Sequence, residues 1–160
     1  MLSNTAILIS AAICATAGAL EGLCAGTGVR AFFATLRFPR YSAPLWLWSI
    51  IGASYYLTFA FVLYRLLLLG RPSGLQRQLL ALIVFMMLAN ALANIVIFRL
   101  RDLRLDFFIG AAAPVFDLAL LFGLLQLDRR AALALVPYLL YRVYAVWWCY
   151  GLWTVNAPAA

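Results

Sequence analysis

The ionisable side chains of this 160-residue chain are gathered into short clusters, and the intervals between clusters are long enough to cross a lipid bilayer. Residues 41–64 and 78–98 contain no acidic or basic side chain, 107–127 contain only Asp117, 131–160 only Arg142, and 1–29 only Glu21. A helix needs about 20 apolar residues to span about 30 Å of hydrocarbon. With 68% hydrophobic and 11% charged residues, the chain has too little polar surface to fold in water. It therefore reads as an all-α integral membrane protein, a single bundle of five transmembrane helices.

The net charge of +7 comes from twelve arginines and no lysine against five acids, and nearly all of it falls in the connections. Basic residues placed there set topology and meet lipid phosphates, so membrane lipids are the expected partners and nucleic acid is not. Histidine is absent and Cys14, Cys24 and Cys149 are widely scattered. That leaves no ligand set for zinc, copper or His-held haem, and no disulfide framework. The Ala-rich N-terminus lacks a positive n-region and stays apolar past residue 20, as a retained first helix would.

The expected spans are about 5–25, 45–69, 78–98, 107–127 and 131–155. Gly26 to Pro44, with Arg30, Arg37, Arg40 and two prolines, reads as a long loop of the kind that forms lids. Gly70, Arg71, Pro72, Ser73 and Gly74 make a sharp break. Five spans put the termini on opposite sides. The first and third connections carry Arg30, Arg37, Arg40, Arg99, Arg101 and Arg104; the other side has Arg71, Arg77, Arg129 and Arg130, with Arg65 at a helix end. The positive-inside rule then predicts a cytoplasmic long loop.

A charge inside hydrocarbon costs roughly 2.5–3.5 kcal/mol on insertion scales and rarely faces lipid. Asp117 precedes Asp128 by eleven residues and Arg142 follows Arg130 by twelve, so both lie roughly 16–18 Å from one connection at about 1.5 Å per residue. Matched depth on antiparallel neighbours predicts an ion pair, acting either as a register lock or as part of a ligand or proton site. Asn90 and Asn94 share a helix face, where they join helices or orient a ligand. Glu21, near the end of the first helix, is expected at the interface. Trp46 and Trp48 open the second span, and Tyr138, Tyr141, Ala145 and Trp148 form one face of the fifth, suited to a flat hydrophobic ligand.

The run Val136-Pro137-Tyr138-Leu139-Leu140-Tyr141, the preceding Gln126-Leu127-Asp128, Leu36 with Pro39, Pro44 and Trp46, Tyr56, and Asn90 with Phe98 resemble the TspO/translocator protein family, the tryptophan-rich sensory proteins. The likeness covers about residues 30–156. It implies a five-helix bundle, often a homodimer, whose pocket beneath the first loop accepts a porphyrin, another tetrapyrrole or a sterol. The family's pocket tryptophans fall here on Arg40, Gly52 and Tyr141, the tryptophan of its third helix on Ala93, and the penultimate asparagine of its last helix on Cys149; Asn156 keeps the final asparagine. Trp48, Trp147 and Trp148 are available to rebuild an aromatic wall.

The resulting expectation is a membrane binding or sensory protein with Arg40, Trp46, Trp48, Asn90, Tyr138, Tyr141 and Trp148 as ligand-binding residues, Arg40 meeting a ligand carboxylate. The alternative is a small structural subunit packed onto a larger respiratory or photosynthetic membrane complex, its pocket filled or lost. Catalysis is the least supported class: no Ser-His-Asp set and no phosphate loop is present, and the commonest general base is missing.

Overall fold

The structure, a computed structural model, describes residues 2–70 and 73–157; Arg71 and Pro72 of the second break lie outside them. Among the described residues there are helices and connections and no strand. The helices are α1 (Leu2–Ala25), α2 (Val29–Thr35), α3 (Leu45–Leu67), α4 (Gly74–Asn94), which runs on into a π-helical segment (Ile95–Leu100), α5 (Leu103–Leu127) and α6 (Arg129–Asn156). Five are long and apolar enough to cross a membrane. The chain is a multi-pass integral membrane protein.

Helices α4, α5 and α6 begin two to four residues earlier than charge spacing alone predicts, because polar side chains cap them. The Ser73 hydroxyl accepts from the Gln76 N–H at 3.0 Å while Gln76 Oε1 accepts from the Ser73 N–H, a reciprocal capping box. Asp102 Oδ1 accepts from Leu105 N–H at 2.8 Å. Asp128 Oδ1 accepts from the N–H groups of Arg130 and Ala131 at 2.9 and 3.2 Å. Each cap satisfies orphan donors and carries the helix into the charged cluster.

The interval 26–44, expected as a loop, holds the short helix α2. Its Phe32 and Phe33 meet Phe98 edge-on, with ring centroids 6.3 and 5.4 Å away. Gly26 adopts φ +73° to let the chain leave α1, a conformation that side chains disfavour. Arg99 closes the same end, donating from Nε to the Cys24 carbonyl at 2.8 Å and from its terminal nitrogen to the Leu23 carbonyl.

The most extensive helix–helix contacts follow the order α1, α3, α6, α5, α4 and back to α1, which closes a ring, and α3 also touches α4. The end of the ring remote from α2 is filled. Phe59, Leu63, Leu66, Ile83, Leu120, Leu124 and Leu135 are fully buried there. Helices α4 and α5 approach closely at Gly123, where a Cβ would lie 2.5 Å from Leu79 Cδ2. Small residues at such contacts favour packing in lipid, where burial supplies little drive. The half nearest α2 is hollow.

Candidate functional site

The hollow half holds a cavity in two adjoining lobes of about 320 and about 390 Å³. Both lobes share Trp48, Asn90, Asp106, Tyr141, Arg142 and Trp148. Such volumes fall in the range of about 300–1,000 Å³ occupied by small-molecule sites. The π-helical segment contributes Ile97 and Phe98 to the first lobe. Segments of this kind are rare and recur at functional sites.

The aromatic wall comes from two helices. Tyr138, Tyr141, Ala145 and Trp148 of α6 all reach the cavity, as their spacing on one helix face predicts. Trp48 of α3 faces them, with ring centroids 4.6 Å from Trp148 and 6.1 Å from both Tyr141 and Tyr144. Its Nε1–H is buried and has no acceptor among the described residues. Trp46 lies outside the cavity and is 65% exposed. Two positions along a helix turn the side chain by about 200°, so Trp46 and Trp48 cannot both face inward.

Arg142 and Asp117 form the cavity's ion pair: Arg142 Nε donates to Asp117 Oδ2 at 3.0 Å. Asp117 is 1% exposed, and the Arg142 guanidinium carbon lies 5.6 Å from the Tyr138 ring centroid. Glu21, expected at the interface, turns inward instead. Its Oε2 accepts from the Tyr56 hydroxyl and from Asn90 Nδ2, the latter at 3.1 Å, joining α1, α3 and α4. Asn94 Nδ2 returns to the Asn90 carbonyl at 2.9 Å and also lines the first lobe.

The connection 36–44 is lashed across α6. Asn156 makes a reciprocal pair with the Arg37 backbone, accepting from its N–H at 2.9 Å and donating to its carbonyl at 2.8 Å. The Tyr41 ring stacks on Trp147 at 3.8 Å with an interplanar angle of 4°, and its hydroxyl donates to the Trp147 carbonyl. The Tyr144 hydroxyl accepts from Ala43 N–H and donates to the Tyr41 carbonyl. Trp148 Nε1 donates to the Ser42 hydroxyl. Trp147 of α6 thus anchors the strap and is not part of the cavity wall. Arg40 is exposed on this strap and does not line the cavity.

Sequence reasoning overlooked two cavity carboxylates. Glu21 and Asp106 stand at the ends of apolar intervals, where an acid ordinarily reaches water. Asp106 sits in the first turn of α5, a position favoured by the helix dipole, and its place in the sequence carries no sign that it faces the cavity.

No curated protein matches this chain. The profile of the family described as TspO/MBR matches residues 10–154, from within α1 to the last turn of α6, so the chain belongs to the TspO/MBR family.

Proposed function

We propose that this protein binds a flat, mostly apolar ligand of tetrapyrrole-like or sterol-like shape inside the bundle, in a binding or sensory role. The observation that carries this reading is the aromatic-walled cavity next to α2, lined by Trp48 of α3 and by Tyr138, Tyr141 and Trp148 of α6. These rings touch one another and form one continuous aromatic surface, which suits a planar guest that gains offset stacking on the face it turns to them. Asn90 and the Trp48 Nε1–H are among the polar groups that would orient a guest in a mostly apolar site. A packing subunit expects these lobes to be filled; their being open supports ligand binding instead.

The test is a titration of protoporphyrin and of a sterol into the purified protein in nanodiscs, read by tryptophan fluorescence. Saturable quenching by at least one class is expected, and Trp48→Leu should weaken it about tenfold or more, the effect of losing one stacked ring at about 1.4 kcal/mol. Absence of saturable change with both classes, and with planar aromatic probes of either charge, would remove this reading.

A further inference from the structure

The cavity carries an excess of negative charge. Arg142 is the base among its lining residues, and its Nε is already engaged by Asp117 at 3.0 Å. Glu21 and Asp106 also line the first lobe, and Asp106 lines the second as well. Among the described residues the ion pairs are Arg65–Asp128 and Arg142–Asp117, so neither Glu21 nor Asp106 has a base within salt-bridge reach. Glu21 is met by two neutral donors, Tyr56 and Asn90. Two carboxylates, Glu21 beneath its neutral donors and Asp106 beside the Cys149 thiol, thus line a mostly apolar cavity with no cation of their own.

The surrounding rings have the matching property. The faces of Trp48, Trp148 and Tyr141 are the negative regions of their quadrupoles, and an indole face is the strongest neutral attractor of an organic cation. Charges in a low-dielectric enclosure interact more strongly than in water, so ligand charge is a leading determinant of selectivity here.

Resting on the binding reading above, we propose that the ligand is a flat apolar cation, a ring system bearing a protonated amine or a quaternary nitrogen, seated against the indoles with its charge towards Asp106 and Glu21. A guest bearing free carboxylates meets the wrong sign of field. A neutral sterol meets no complementary charge.

Three probes on the same anthracene skeleton separate charge from shape: 9-(aminomethyl)anthracene as the cation, 9-anthracenemethanol as the neutral form and anthracene-9-carboxylate as the anion. Each is titrated into the full chain in phosphatidylcholine nanodiscs, with empty discs subtracted. The cation is expected to bind at least about tenfold more tightly than the anion. Asp106→Asn, with Glu21→Gln as a second variant, should remove most of that preference while circular dichroism and melting show the bundle intact. The wild-type comparison needs no variant, so a misfolded mutant does not spoil the test. Equal or tighter binding of the anion overturns the proposal, as does a cation preference unchanged in both variants or a failure of all three probes to bind. Saturable binding of porphyrin, sterol or 9-anthracenemethanol without cation preference leaves the cavity reading standing and removes only the charge assignment.

Discussion

Arg142 of α6 donates from Nε to Oδ2 of Asp117 on α5 at 3.0 Å, a charge pair set midway along two antiparallel membrane helices. Breaking a buried pair by removing one partner leaves an uncompensated charge and costs about 3–5 kcal/mol. Asp117→Asn is therefore expected to lower the stability of the bundle by an amount of that order in denaturant titrations in detergent. Replacing both partners with apolar residues, Asp117→Leu with Arg142→Met, should recover most of the loss. Wild-type stability in Asp117→Asn alone would show that the pair contributes nothing to holding α5 on α6.

Gly151 lies beneath the strap. A Cβ there would stand 2.0 Å from Tyr41 Oη and 3.0 Å from Pro39 Cγ. Tyr41 cannot yield without losing its stack on Trp147, so Gly151→Ala should lift the strap at a cost of about 1–3 kcal/mol, the usual range for overpacking. Faster proteolysis within residues 36–44, with helical content unchanged, is the expected result. An unchanged cleavage rate would mean that the strap is held elsewhere.

Asn156 holds the Arg37 backbone by one accepted and one donated hydrogen bond. At a net of about 0.5–1.5 kcal/mol per bond, Asn156→Ala should raise amide exchange around Arg37 roughly tenfold or more. Asn156→Asp keeps the acceptor for the Arg37 N–H and loses the donor, so its exchange rate should fall between the two. Equal rates in all three proteins would rule out the clamp.

Asp128 gives the bundle an acid-sensitive joint at the end remote from the strap. Burial pushes its carboxyl up, but the Arg65 hydrogen bond at 2.7 Å and the N–H groups of Ala131 and Arg130 outweigh that and hold it below the ordinary 3.8. A carboxylate depressed in the folded state contributes stability above its unfolded value and loses it as pH falls through the folded one. Thermal stability should stay level above about pH 5 and decline below about pH 4. Asp128→Asn keeps the capping oxygen and loses the charge, so it should melt lower at neutral pH and show a flatter decline. A wild-type and variant profile of the same shape would assign the acid sensitivity to another group.

What was legible in the sequence was mostly a matter of depth. The five spans follow from uninterrupted apolar length, and the meeting of Asp117 with Arg142 follows from counting residues back from one connection at a fixed rise. The inward face of α6 follows from periodicity, since Tyr138, Tyr141, Ala145 and Trp148 recur at helical spacing. Helix starts were misplaced by two to four residues because Ser73, Asp102 and Asp128 act through a local hydrogen bond that hydropathy does not register.

Rotation about each helix axis was not legible. Trp46 and Trp48 look equally suited to a pocket in the sequence, yet only Trp48 reaches it, because the rotation of α3 is settled by its contacts with α1 and α6. Arg40 was drawn towards the cavity by its place in the loop, but the Asn156, Tyr41 and Tyr144 bonds run that stretch across the outer end of α6. Glu21, expected at the interface because it is near a helix end, turns inward because Asn90 on another helix meets it, and the inward turn of Asp106 has no counterpart in the sequence reading.

The sequence by itself determined that this chain lives in a bilayer, how many times it crosses, and which charges share a level, because the hydrocarbon thickness imposes a one-dimensional rule on any chain that enters it. Only the tertiary structure decided which side chains look inward, that one half of the ring is packed and the other hollow, and that two carboxylates line the hollow. Those are consequences of helix rotation and of contacts between residues far apart in the chain, set by the mutual packing of five helices around one axis.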